Sequence, residues 1–193
     1  MRLYIVLSMA TELYHDKYRV ASARLRGYDY GQNGAYFVTI CTQHRTRFFG
    51  DIIVPDHDWD RAYLHPTPVA ALVTAAWQQI PQRFPFVLLD AFILMPDHLH
   101  GLLLFDKPTE PTPPLHYENR FTPQRDNLAA ILRGFKAGTT AQARRAGLPL
   151  TWQPRYHDRV VRSSQELDKI RHYIVTNPAR WQHEQSGEEG LFR

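Results

Sequence analysis

At 193 residues, 44% hydrophobic and 22% charged, the chain has the size and composition of one ordinary globular domain, which excludes a disordered or fibrous protein. A formal charge of +4 favours a polyanionic partner without requiring one. The single cysteine, Cys41, rules out an internal disulfide framework and a cysteine-rich zinc site, so a reducing, cytoplasmic setting is expected.

Met1 to Ala10 is apolar with one Arg, too short to span a bilayer, and has neither the basic start nor the cleavage site of a secretion signal. Residues 1–33 read as an N-terminal arm, polar and mixed beyond Ala10. Ala35 to Thr42 is rich in β-formers and predicts a strand, with a short partner over Arg47 to Val54. Pro66 to Pro81 places Val69, Leu72, Val73, Ala76 and Ile80 at helical spacing. Phe86 to Met95 and His98 to Phe105 predict two strands joined through Pro96-Asp97 as an antiparallel hairpin. Five prolines between 106 and 123 predict a loop.

Arg125 to Ala146 predicts a second helix with Leu128, Ile131, Leu132 and Phe135 inward, and Trp152 to Arg162 a last strand. Ser163 or Ser164 caps a final helix to about Asn177, which Pro178 helps to end. Residues 182–193 form a tail. This order predicts an α+β fold: a ferredoxin-like or RRM-like antiparallel sheet with helices packed on one face.

The chemistry concentrates in two places. His98 and His100 are at i and i+2 of a strand, so both imidazoles leave the same face, about 7 Å apart along the backbone. That pair suits a divalent metal. Asp97 reads as a turn residue, with hydrogen bonding to a histidine as the alternative. On the last helix Leu167, Ile170 and Ile174 form an apolar stripe, and Tyr173 and Asn177, four apart, share its border. Tyr173 can therefore be half-buried with its hydroxyl toward a cleft, and Asn177 offers a carbonyl oxygen beside the imidazoles.

The ordered set Gly27-Tyr28-Asp29-Tyr30, AYFVTICTQ, MPDHLHGLL, Trp152-Gln153, Arg155-Tyr156-His157 and HYIVTNPARW resembles the single-tyrosine HUH transposases, in particular the REP-associated tyrosine transposases of bacteria. The resemblance covers about Arg24 to Trp181, and assigns 34–181 to one transposase domain with the HUH motif on a central strand. It implies a nickase and strand transferase acting on single-stranded hairpin DNA. Tyr173 matches the nucleophile that forms a 5′-phosphotyrosine link. His98, His100 and Asn177 match ligands for Mg²⁺ or Mn²⁺. It implies a homodimer or a monomer and no membrane. Within it, Arg133, Lys136, Arg155, Arg159 and Arg162 suit DNA phosphates, and Tyr28, Tyr30, Trp152 and Tyr156 suit unpaired bases. The competing reading is a domesticated relative that binds hairpin nucleic acid without cutting. A metal hydrolase is disfavoured, since the chain lacks a further ligand cluster at recognisable spacing.

Overall fold

A computed structural model describes residues 28–108 and 125–185, with side chains up to Trp181. The arm up to Gly27, most of the expected proline loop and the end of the tail lie outside these residues.

Four strands form an antiparallel sheet: β1 (Gly34–Cys41), β4 (Val87–Met95), β5 (His98–Phe105) and β6 (His157–Val161), in spatial order β4-β5-β1-β6. The last strand is shorter than its pattern suggests. Trp152 makes only an isolated bridge to Thr42, and the chain reaches the sheet edge at His157. The short partner strand over Arg47 to Val54 is β2 (Gly50–Ile53). It pairs outside the main sheet with β3 (Tyr63–Pro66), which the sequence does not announce.

The first predicted helix is divided. α1 (Pro68–Gln78) starts where the Thr67 hydroxyl accepts the Ala70 N–H and Pro68 occupies the first turn. Pro81, lacking an N–H, begins a second short segment, α2 (Ile80–Arg83). α3 (Leu128–Arg145) is capped by the Asn127 side chain, 2.9 Å from the Ala130 N–H. Val69, Val73 and Trp77 of α1 and Leu128, Ile131, Leu132 and Phe135 of α3 pack with Tyr36, Val38, Ile40, Leu99 and Leu103 from one face of the sheet.

The expectation that all helices pack on one face is corrected. α4 (Ser164–Gln185) covers the opposite face, where Ile170 and Ile174 bury against Leu102, with Phe37 and Ile93 packed around them. The cause lies in β5. A run of apolar residues with histidines is buried on both of its faces, which needs a layer on each side. A bulge between Leu89 and Phe92 of β4 accompanies this, and Asp90 within it takes a two-pronged bond from Arg171 of α4, 2.9 and 2.5 Å. That guanidinium holds the Asp90 carboxyl below its ordinary range.

The end of α4 is also corrected. Pro178 does not terminate it; the helix continues to Gln185, so Asn177 is an interior residue and no C-cap. Proline removes one intrahelical bond to the carbonyl of Ile174, but flanking turns carry the helix through. Pro178 itself is buried.

Gly101 marks the tightest contact between layers: a Cβ there would overlap the Trp77 indole, itself buried. Gly101→Ala is expected to cost about 2 kcal/mol by overpacking, read as a lower urea midpoint with an unchanged m-value.

Candidate active site and metal centre

His98 and His100 leave the α4 side of β5 and converge. Their Nε2 atoms are 3.1 Å apart, far closer than the backbone spacing, because both rings are buried and turned toward one point. The His98 Nδ1 lies 2.6 Å from Asp97 Oδ1. Asp97 is also 3.0 Å from Arg45 Nε, and its side chain is buried. Asp97 thus takes the alternative role rather than that of a turn residue alone: its carboxylate takes the His98 Nδ1–H and leaves Nε2 with its lone pair outward. Across the sheet His100 pairs with Thr39 of β1, whose hydroxyl is 2.8 Å from His100 Nδ1. Phe37 stacks on the His100 ring at 5.4 Å.

α4 brings its own residues over this pair. Tyr173 presents its hydroxyl 3.4 Å from His100 Nε2, with the ring half-buried against Phe37. Asn177 is buried one turn further along. Beyond it, the Arg180 guanidinium stands 5.3 Å over the Tyr173 ring, and Trp181 packs 5.4 Å from the His98 ring. The sequence reasoning missed Thr39, Arg45, Phe37, Arg180 and Trp181. Strand register alone signals Thr39. Nothing local signals Arg45, which reaches Asp97 from a 3-10 turn over Gln43–Arg45.

The donor set suits a divalent cation. Two nitrogens at adjacent corners of an octahedron, each about 2.1 Å from an ion at its centre, would lie about 3.0 Å apart, close to the 3.1 Å found here. Among the described residues no three His, Cys, Asp or Glu side chains gather into a metal site; the Asn177 amide oxygen is a hard donor of another type.

The other predicted residues scatter. Arg159, on the α4 side of β6, is paired at 2.5 Å with Glu166, which also accepts the Arg162 N–H at 2.9 Å. The Arg162 side chain is exposed. Arg133 is exposed on α3, across the sheet from the histidines. Lys136 donates to the carbonyls of Gln153 and Arg155, at 2.6 and 3.0 Å, and is spent on holding that loop. Arg155 is exposed in left-handed backbone. Trp152 donates to the Thr139 hydroxyl at 3.0 Å and lies among Phe49 and Phe135. Tyr156 packs against the core, as do Tyr28 and Tyr30, whose rings meet edge to face.

The architecture defines the class: an α+β protein with a four-stranded antiparallel sheet and three main helices, sharing its fold with a REP-associated tyrosine transposase solved bound to a REP hairpin. That likeness has a TM-score of 0.52 at 17% identity, over 83% of this chain and 74% of that one. The chain belongs to one family with an uncharacterized protein of Haemophilus influenzae, 32% identical over 170 residues, which are 85% of this chain and 91% of that protein. A putative transposase from Deinococcus radiodurans aligns over 78% of this chain and 94% of that one at 19% identity, but its TM-score of 0.38 is too low to weigh. No protein-family model matches the chain. Among the described residues no helix is long and apolar enough to cross a membrane.

Burial, with His98 and Arg45 adding like charge, pushes the His100 imidazole down to about 3. His100 is neutral in the fold, whereas in the unfolded chain it takes a proton near pH 6.5. Acid therefore favours the unfolded chain progressively from about pH 6.5 down to about pH 3, and nothing is lost above that window. Metal-free protein is expected to lose about 2 kcal/mol through this group between pH 6.5 and 5. Urea titrations at the two pH values, beside His100→Gln, check this: the variant should show a shallower dependence.

Proposed function

We propose that this protein is a metal-dependent DNA strand transferase that cuts and rejoins single-stranded hairpin DNA through Tyr173. The observation that carries the reading is the approach of the Tyr173 hydroxyl to within 3.4 Å of His100 Nε2, itself 3.1 Å from His98 Nε2. A nucleophile and two metal-ligand candidates thus meet at one point, on a fold shared with a protein solved with a REP hairpin.

The Tyr173 oxygen attacks the scissile phosphorus and loses its proton. The bond from phosphorus to the 3′ oxygen breaks, and that oxygen leaves as a 3′-OH after taking up a proton. The 5′ phosphate stays on Tyr173. One phosphodiester replaces another, so no external energy is needed, and a second 3′-OH reverses the step. The chemistry that Mg²⁺ or Mn²⁺ would supply here is Lewis-acid stabilisation of the charge developing on the phosphoryl oxygens. His98, His100 and Asn177 would hold it; Asp97 and Thr39 orient the two rings. Arg180, beside the phenol, faces the incoming phosphate with a positive charge. Phe37 and Trp181 exclude water from the imidazoles.

Incubation of hairpin oligonucleotides, labelled at either end, with Mn²⁺ should give a protein–DNA adduct on a denaturing gel. Only the fragment 3′ to the cut should be retained. EDTA and Tyr173→Phe should each reduce the adduct to background. Binding without an adduct across several hairpins and both metals would replace this reading with the domesticated binding protein.

Asp97→Asn is expected to weaken Mn²⁺ binding about 10- to 100-fold, measured by calorimetry without DNA. The amide cannot satisfy Arg45 through one oxygen and also accept the His98 N–H without turning its NH₂ on one of them. Unchanged affinity would remove Asp97 from the site.

A further inference from the structure

We infer that His157 is the acid that gives a proton to the 3′ oxygen leaving the scissile phosphate, and the base that takes it back when a strand is rejoined. This rests on the reading of Tyr173 as the nucleophile. The 3′ oxygen of that reaction must take up a proton, because an alkoxide is a poor leaving group.

Strand register puts His157 on the face where the reaction runs. Thr39 of β1 pairs with His100 of β5 on one side and with His157 of β6 on the other. Residues directly opposite in antiparallel strands turn their side chains to the same face. The Thr39 hydroxyl meets His100 there, and Arg159, two residues beyond His157, meets Glu166 of α4 on that face too. His100, Thr39 and His157 therefore form one row across the sheet, with about 10 Å between the outer Cα atoms. The ends of the row differ. α4 packs over β4 and β5, and His100 is buried. His157 is exposed on the edge strand.

An exposed histidine on an edge strand is ordinary by itself. The direction of the reaction gives this one a use. In an in-line displacement the entering and leaving oxygens stand on opposite sides of phosphorus. The Tyr173 hydroxyl enters at the His100 end of the row, 3.4 Å from Nε2. A phosphate seated over Thr39 turns its leaving oxygen away from Tyr173, across β1 and toward His157.

Other titratable side chains on this face are committed. Cys41 Sγ accepts a hydrogen bond from Arg45 at 2.8 Å. His98 gives its Nδ1–H to Asp97, and burial keeps His100 neutral down to about pH 3. Arg159 is paired with Glu166, and Asp90 with Arg171. Among the described residues no hydrogen bond or ion pair engages the His157 ring. Its backbone is nevertheless fixed. β6 starts at His157, and the loop before it is tied by the Gln153 N–H to the Cys41 carbonyl at 2.9 Å. Lys136 holds the same loop by the carbonyls of Gln153 and Arg155. A free ring on a fixed backbone can carry a proton to one place.

The step balances. As the Tyr173 oxygen bonds phosphorus, the bond to the 3′ oxygen breaks and that oxygen takes the proton of a protonated His157. The phenol proton goes to solvent, and His157 is left neutral. In rejoining, His157 takes the proton of the attacking 3′-OH, and the released tyrosinate recovers one from water. Imidazole suits both directions, since it gains and loses a proton near neutral pH.

The test compares His157→Gln with the wild-type chain in single-turnover adduct formation with Mn²⁺. One DNA hairpin is natural, and the other carries sulfur in place of the scissile 3′ oxygen. Sulfur leaves as a thiolate and needs no acid. The variant should form adduct about 100-fold more slowly on natural DNA, and at the wild-type rate on the sulfur substrate. Its affinity for the natural hairpin, from anisotropy in EDTA, should equal that of wild type. Equal rates of variant and wild type on natural DNA would overturn the inference and keep Tyr173 as nucleophile. An equal loss on both substrates would also overturn it, as would weaker binding that accounts for the loss. Wild-type protein that forms no adduct on either substrate would remove the Tyr173 reading, and the role of His157 with it.

Discussion

Burial of β5 on both faces is the constraint on which the rest depends. A strand inside a sheet has its backbone satisfied by neighbours, but its side chains need a cover on each side. Leu99 and Leu103 go to the layer of α1 and α3, while Leu102 and the two histidines go to α4. The imidazoles are therefore out of bulk water, and a buried polar group without a partner is costly. Each ring accordingly has one: Asp97 at His98 and Thr39 at His100. What looks like a site arranged for chemistry is also the solution to a folding problem.

α4 is held to this face by three kinds of interaction. Its start is fixed by Ser163, whose hydroxyl accepts the Glu166 N–H at 3.1 Å. Its middle is fixed by apolar contact through Ile170 and Ile174, and by the Asp90–Arg171 pair reaching down to the β4 bulge. Arg171 is half-exposed, so the pair contributes direction more than stability. Together they set the rotation of the helix, which is what puts Tyr173 rather than Val175 over the sheet; Val175 is exposed.

The sequence was most legible where a single period governs a segment. The alternation in AYFVTIC and the 3.6-residue spacing in 128–145 gave elements close to those found. The pairing of His98 with His100 and of Tyr173 with Asn177 followed from the same periods. Two things did not. The layer to which α4 belongs is a tertiary choice, although HLHGLLLF, apolar on both faces, already asked for a second cover. The continuation of α4 past Pro178 shows that a proline ends a helix only where nothing else holds the next turn. Nothing local could show that Lys136 and Trp152 would spend their polar atoms inside the fold, because their partners lie 13 to 19 residues away.

One hydroxyl has a wider effect than its size suggests. With neutral His98 giving its Nδ1–H to Asp97, the short contact between the two Nε2 atoms places a proton on His100 Nε2, and the Thr39 hydroxyl then donates to His100 Nδ1. If that hydroxyl turns round and accepts instead, the His100 proton moves to Nδ1 and both Nε2 lone pairs face the same point. No ring has to move and no packing has to yield. The heavy atoms therefore fit either tautomer of His100, and the second, with two lone pairs 3.1 Å apart, is favourable only with a cation between them.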